Sequence, residues 1–383
     1  MTHTVVVLGA GYGGAATIDR LQSMDTDLEL TWISKAPYHF VRHESHRLIR
    51  EPTAKSALTV PITAIASADT RFIQGRVTRV DAETRTVDLD DGQKIGYDFL
   101  VYAMGSEPAD YGIPGIDQYA LTLNDHRDAL AIHKAVIDAS TGREAGDPAR
   151  VIVAGAGLSG VQVVGELAAL ADDRDRALSI RLIEAKNRIL PEDAPELSRR
   201  VHQILADRDI DVITDRPVNR VTDASVELDD GDSLPADVVV WTGGITGPTV
   251  LTDGGLEGMS GRLRTNGSLQ TSDPRVFALG DAAMVDVEGE PVPPTAQAAW
   301  QAASIVATNI TRSIQERPLE RFTFESRGTL LSVGQAAIAH DVIHSPLRVI
   351  TGVPARLLKK GVAARWIGAI SSWRRALDAW PYL

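Results

Sequence analysis

Apolar positions in this chain fall in short unbroken runs that end in glycine. Val5-Val6-Val7-Leu8 runs into Gly9-Ala10-Gly11-Tyr12-Gly13-Gly14, and Val151-Ile152-Val153-Ala154 runs into Gly155-Ala156-Gly157-Leu158-Ser159-Gly160. Continuous apolar runs, unlike alternating ones, predict strands covered on both faces of a parallel sheet. The pattern predicts a strand at 5–8, a helix over roughly 13–23 and a second strand at 28–33. Segments near 71–80, 85–90 and 94–104 alternate in the way of antiparallel strands, with turns at 81–83 and 90–92. A crossover loop at Gly112–Gly115 and a helix from about Asp125 to Ser140 precede the polar break 142–150. A second strand, glycine turn, helix and strand (178–183) follow, then a further helix and small strands up to Gly247. The downstream halves also match. Leu89-Asp90-Asp91-Gly92 leads to Asp98 and Gly105, and Leu228-Asp229-Asp230-Gly231 leads to Asp237 and Gly244, with equal spacing. Arg275–Asp281 is then a strand ending in Gly280-Asp281. Pro291, Pro293 and Pro294 lead into a small-residue helix, Thr295–Arg312.

The expected fold class is therefore α/β, with two Rossmann-like dinucleotide-binding domains, one inserted in the other. The expected boundaries are 1–120 with 248–325 for the first domain, 121–247 for the second, and 326–383 for a C-terminal region.

Composition narrows the chemistry. The chain has 383 residues and a net charge of −12, which disfavours nucleic acid as a partner. Its acids are mostly Asp (34 against 17 Glu) and its bases mostly Arg (32 against 7 Lys). That skew fits a salt-rich cytosol or a high-GC genome. No cysteine is present, which excludes disulfides, iron–sulfur clusters and thiolate zinc sites. The first strand begins almost at once, leaving no room for a signal peptide. No apolar run reaches the ~20 residues of a spanning helix.

Each Gly-x-Gly-x-x-Gly follows a strand and opens a helix, the context in which it cradles a pyrophosphate. In that pattern Gly9 and Gly155 permit the tight turn, Gly11 and Gly157 admit the phosphates, and Gly14 and Gly160 allow close helix packing, with Gly13 beside the first of these. Glu184 ends the strand after the second turn, where a carboxylate accepts the ribose hydroxyls and repels a 2′-phosphate. This favours NADH, although Lys186 and Arg188 lie near. The matching place in the first half holds Ser34-Lys35. An FAD fits there, with Ser34 on ribose and Lys35 near the phosphates. Asp281 suits a flavin-side hydroxyl, and a helix starting at Thr295-Ala296 can aim its N–H groups at the flavin O2 edge. Two dinucleotides side by side imply electrons passing between them. His39, His43 and His46 cluster with Glu44, but their spacing misses the His-Glu-x-x-His zinc pattern. They read as helix contacts near the flavin, and no metal site is expected.

With these motifs in place, the chain resembles the type II NADH:quinone oxidoreductases, non-pumping NADH dehydrogenases of the two-dinucleotide, glutathione-reductase-like flavoprotein superfamily. The matching residues are Gly9–Gly14, Gly155–Gly160 with Gly165-Glu166-Leu167, Glu184–Pro191, Trp241-Thr242-Gly243-Gly244, Phe277–Asp281 and Pro293-Pro294-Thr295-Ala296-Gln297-Ala298-Ala299-Trp300-Gln301. The resemblance implies FAD on the first half, with Gly105, Gly280 and backbone at Val77 contributing, and NADH on the second half, with Gly243 and Gly244. It places Gln297, Trp300 and Gln301 near a membrane quinone. One departure stands out: the family's Gly-Val-Glu is Gly160-Val161-Gln162 here. Gln162 can lie near the nicotinamide but cannot carry a proton, so the proton donor is unassigned.

The tail supports this reading. Val353–Leu383 carries Arg356, Lys359, Lys360, Arg365, Arg374 and Arg375 against Asp378 alone, and Trp366, Trp373 and Trp380 fall seven apart. On one helix these tryptophans share nearly one face, as in a monotopic anchor on anionic lipid. A helix packed on the body or on a second copy in a homodimer is the alternative. The expectation is a peripheral enzyme on the cytoplasmic side of the cell membrane. Its rivals are a soluble NADH-dependent reductase with a protein acceptor, a redox sensor, and a sulfide:quinone oxidoreductase, whose chemistry needs the cysteines this chain lacks.

Overall fold

The computed structural model describes residues 2–253, 255–287, 290–342, 345 and 347–383. Two five-stranded parallel sheets carry it. The first has the spatial order 276–278, 99–102, 3–8, 28–34, 71–74, and the second 120–122, 238–241, 149–154, 178–183, 211–213. Register repeats between them: Val5 pairs with Leu30 and Phe99, and Val151 pairs with Ile180 and Val238. Val5–Leu8 and Val151–Ala154 are buried, as unbroken apolar runs covered on both faces should be.

The paired Asp residues explain the downstream repeat. Asp98 accepts the Thr4 N–H at 2.9 Å, and Asp237 accepts the Arg150 N–H at 2.8 Å. Each carboxylate thus ties the start of the glycine-turn strand to its neighbour. Antiparallel meanders lie at 77–96 and 218–235. The alternating segments 71–80 and 94–104 need correction. Arg71–Gln74 and Phe99–Tyr102 are parallel strands of the first sheet, and only Val77–Gly96 forms an antiparallel meander. Alternation reports a half-covered surface, not the direction of the partner strand.

Helix Tyr12–Gln22 packs on helix Ala296–Ile314, and a short antiparallel pair, 107–108 with 245–246, lies where the chain passes between the two sheets. Asp125 caps helix His126–Ser140 through a reciprocal capping box with Asp128.

The tail departs from the expected single helix. After a three-stranded antiparallel sheet (329–333, 336–340, 349–351), helix Gly352–Ile370 ends, and a separate helix Trp373–Ala379 is capped by Ser372. The break destroys the seven-residue alignment of the tryptophans. Trp366 is buried inside the protein at 1% exposure, whereas Trp373 is 64% exposed. Ala355, Lys359, Ala363, Trp366, Ile367 and Ile370 form the inward face, so Lys359 is also no part of a basic outer face. Outside remain Val353, Leu357, Val362, Trp373, Leu377, Trp380 and Tyr382 among Arg356, Arg365 and Arg374. No helix among the described residues is long and apolar enough to cross a membrane.

Candidate functional site

The two glycine turns are built alike. Gly9 N–H donates to Ile33 O and Gly155 N–H to Ile183 O, each at 2.8 Å. Gly9 (φ +95°) and Gly155 (φ +102°) hold left-handed conformations against the next strand's end, where a Cβ would meet Ala103 O at 2.3 Å or Thr242 C and O at 2.6 Å. Gly14 and Gly160 press on the turn itself, with an added Cβ 1.9 Å from Gly9 O and Gly155 O respectively. The middle glycines differ. A Cβ on Gly11 or Gly157 would meet nothing within 4 Å. Four glycines are therefore demanded by the fold, while these two face open space just before a helix N-terminus. That is the shape and polarity of a pyrophosphate cradle, and both turns fit a dinucleotide. Gly13 is an intermediate case, its Cβ 3.1 Å from the Leu279 side chain.

Glu184 sits at the end of its strand, 8% exposed, and braces the second turn. Its Oε2 accepts the Ala156 N–H at 2.7 Å, and its Oε1 accepts the Lys186 N–H at 2.9 Å. The nearby cations are occupied elsewhere. The Lys186 ammonium pairs with Glu192, and Arg188 donates to the carbonyls of Pro191 and Asp193. Neither is committed to a 2′-phosphate beside Glu184. Gly243 and Gly244 border this turn, where a Cβ would strike the Trp241 ring at 2.3 Å or the Tyr111 hydroxyl at 2.0 Å. In the first half Ser34 ends the matching strand, its Oγ accepting the Ala36 N–H at 3.3 Å, and Lys35 is exposed. Val77 begins the meander, pairing with Leu89.

Gly280 (φ +67°) and Gly105 (φ +73°) flank a polar triangle. Asp281 Oδ2 accepts from Ser106 Oγ at 2.9 Å and lies 3.5 Å from the Arg42 guanidinium, which donates to the same hydroxyl. Thr295 caps helix Ala296–Ile314, its Oγ1 accepting the Ala298 N–H at 3.2 Å, so the helix starts at the expected residue. Gln297 and Gln301 are engaged with the chain itself. Both amides donate to Glu325 O, at 2.8 and 2.9 Å, and Gln301 Oε1 accepts the Glu325 N–H. They pin segment 321–328 over the helix start.

Trp300 joins an aromatic cluster of edge-to-face and tilted rings that sequence spacing does not reveal. Its ring lies 4.7 Å from Trp366 of the tail, and Trp366 lies 4.8 Å from Tyr12 of the first turn. Arg365 covers the outer side of Trp300 at 5.5 Å. His39 meets Tyr12 and Trp366 edge-on, and His43 lies beside Tyr12. Burial lowers both histidines to about 4, the Glu44 carboxylate partly opposing this at His43. Burial raises the Tyr12 hydroxyl, which hydrogen-bonds His43 Nδ1. These contacts pack His39 against helices Tyr12–Gln22 and Gly352–Ile370, and His43 against the first of them.

Beneath lies a sealed ionic cluster. Glu44 accepts from Lys359 and Arg47, and all three are wholly or largely buried. Burial alone would raise the Glu44 carboxyl, but Lys359 and Arg47 hold it well below the usual carboxylate range. His46 is held well below its usual value by burial and by Lys359. Its Nε2 lies 2.9 Å from Ser332 Oγ and 3.4 Å from Gln162 Nε2. Glu166 faces Arg50 at 3.3 Å, and burial raises its carboxyl against the pull of Arg50 and Arg47. Gln162 thus sits where the second turn's helix, the first domain and the tail sheet meet. The sequence marks Glu44 beside the histidines, Glu166 in a family motif and Lys359 among the tail's basic residues, but not their meeting in one buried cluster. The available signal was periodicity, because Lys359 falls in step with Ala355, Ala363 and Trp366.

Comparison with known proteins agrees with this architecture. Residues 3–303 match the profile of the family described as pyridine nucleotide-disulphide oxidoreductase. The type II NADH:quinone oxidoreductase of Staphylococcus saprophyticus is 28% identical over 386 residues, covering 94% of each chain. The structure of NDH2 from Plasmodium falciparum in complex with NADH superposes with a TM-score of 0.86 at 18% identity, over 99% of this chain and 97% of that one. The sulfide:quinone oxidoreductase of Aquifex aeolicus gives 0.80 at 23% identity, over 98% and 94%. With the family profile spanning both glycine turns and the helix at 296, the chain belongs to the pyridine nucleotide-disulphide oxidoreductase family.

Proposed function

We propose that the chain is an NADH:quinone oxidoreductase, moving a hydride from NADH to FAD and then two electrons to a membrane quinone. The observation that carries this reading is the meeting of Tyr12, Trp300 and Trp366, which joins the first glycine turn, the Gln297 helix and the tail. The near-full-length similarity to the staphylococcal enzyme supports the donor and acceptor. The disulphide chemistry in the family's description has no thiol here, since the chain lacks cysteine.

In this reading 1–120 with 248–325 hold FAD, 121–247 hold NADH, and 326–383 form the tail. Bound FAD supplies the two-electron chemistry, accepting hydride and passing the electron pair on. The protein's own residues bind and orient. Gly11 and the first-turn N–H groups of helix Tyr12–Gln22 take the FAD pyrophosphate, with Ser34, Lys35, Val77, Gly105, Gly280 and Asp281 around it. Gly157 and Glu184 take NADH. Thr295 and Ala296 turn a helix N-terminus toward developing negative charge. Gln297, Trp300 and Gln301 border the quinone, the two glutamines through the segment they pin. The outer tail face, with Leu357, Trp373 and Leu377 beside Arg356 and Arg374, rests on anionic lipid at the cytoplasmic surface.

The deciding experiment is anaerobic. NADH should bleach the flavin absorbance near ~450 nm, and a menaquinone analogue should restore it rapidly. Bleaching without recovery would favour a protein acceptor or a sensor, and no bleaching would remove NADH as donor. Membrane contact is tested with Leu357, Trp373 and Leu377 replaced by Ser, because truncation at 353 would uncover Glu44 and His39. Loss of sedimentation with phosphatidylglycerol vesicles supports the lipid reading. Unchanged sedimentation, or a variant that turns monomeric, overturns it in favour of another contact or a homodimer.

A further inference from the structure

We infer that Trp366 of the tail is a positioning residue for the first glycine turn, acting through His39. The inference rests on the proposal that this turn holds FAD. The Trp366 Nε1–H donates to His39 Nε2 at 2.8 Å, and His39 Nδ1 lies 2.8 Å from Ala10 O. An indole N–H can only donate and a carbonyl can only accept. Both contacts are therefore satisfied by one state, the neutral imidazole with its proton on Nδ1. All three groups are closed to solvent, Trp366 at 1% exposure, His39 at 0% and Ala10 at 9%.

Ala10 C=O and Gly11 N–H belong to the same planar trans peptide and point in opposite directions. Holding the carbonyl on His39 aims the Gly11 N–H away from His39, at a residue where an added Cβ would meet nothing within 4 Å. Without the Nδ1–H donor this peptide is free to tilt, and the cradle loses its aim.

The internal repeat supplies a comparison within one molecule. The equivalent carbonyl of the second turn, Ala156 O, accepts the Leu190 main-chain N–H at 2.8 Å. That donor is built into the second domain's own backbone. In the first turn the same role falls to a side chain, and that side chain is oriented by a residue 327 positions away. Tyr12 completes the arrangement, its ring 5.1 Å from His39 and 4.8 Å from Trp366. The tail helix that presents an apolar outer face thus also sets the geometry of the first cradle from its inner face.

The test uses the full-length protein and three variants, W366F, H39N and H39L. FAD dissociation constants come from flavin fluorescence, and the bound flavin's visible circular dichroism reports its seating. Asn places an amide donor where His Nδ1 stands, whereas Leu does not. W366F and H39L should each weaken FAD about tenfold and alter the dichroism, while H39N stays within about threefold of wild type. Far-UV dichroism verifies folding, and if W366F does not fold, the H39N and H39L pair decides alone. Wild-type affinity in H39L, or equal losses in H39N and H39L, would overturn the positioning role. A wild-type protein that takes up no FAD would instead overturn the assignment of the first turn, and this inference with it.

Discussion

Lys359, near the end of the chain, donates to Glu44, near its start, and both side chains are shut away from solvent. A buried pair of this kind adds little net stability when intact, because desolvation offsets attraction. Breaking it is costly, since Glu44 then keeps only Arg47 to balance its buried charge. Lys359→Met should therefore destabilise the protein by about 3–5 kcal/mol. The double variant Lys359→Met with Glu44→Gln should recover much of that loss. Denaturant unfolding of the four proteins measures the coupling, and a purely additive cycle would show that the pair does not act as one.

The buried histidines set a pH dependence. Burial holds His39 and His43 at about 4 against 6.5 in the unfolded chain. As pH falls below 6.5 the unfolded chain takes up these protons first, so stability is full above that value and is lost toward pH 4. Glu44 acts the same way lower down, its contribution fading as pH drops below the ordinary carboxylate range. His39 alone should account for about 2–3 kcal/mol over this window. Urea midpoints at pH 7.5 and 4.5 measure the slope, and His39→Asn should flatten it.

The glycines divide into two experimental classes. Gly11→Ala and Gly157→Ala add a methyl to open space at φ −75° and −70°, and both should fold. Gly11→Ala should lose FAD, and Gly157→Ala should lose NADH, each about tenfold or more. Gly14→Ala and Gly160→Ala should fail to fold, because their Cβ would lie 1.9 Å from a carbonyl oxygen. Flavin content and thermal unfolding separate the classes. Full cofactor affinity in Gly11→Ala would contradict the cradle.

Glu184→Ala tests the second site. It removes the acceptor of two main-chain N–H groups as well as the proposed ribose contact. NADH should weaken about tenfold or more while FAD is little changed. Titration of each cofactor measures this, and unaltered NADH affinity would take Glu184 out of the site.

Both glycine turns, their helices and the Thr295 start were legible because each is written in contiguous residues with a backbone requirement. The sealed cluster was not, because Glu44, Glu166 and Lys359 come from three distant segments and meet only through packing. The tail was half legible. Its basic and aromatic composition is plain, but the seven-residue spacing of Trp366, Trp373 and Trp380 carries meaning only along an unbroken helix. Ser371 and Ser372 interrupt it, and Trp366 turns inward. The alternation around 71–104 misled for a similar reason, since pattern reports exposure and not the direction of the neighbouring strand.

The Trp366–His39 contact also bears on the order in which the protein is made. His39 leaves the ribosome early, and Trp366 follows 327 residues later. At about 5–20 residues per second, the N-terminal unit waits tens of seconds for its last hydrogen-bond donor. During that interval the first nucleotide turn exists as a loop without its brace. The earliest part of the chain to be synthesised thus gains one of its contacts among the last, and under the positioning role proposed for Trp366 the first turn is fully seated only once the tail has been made.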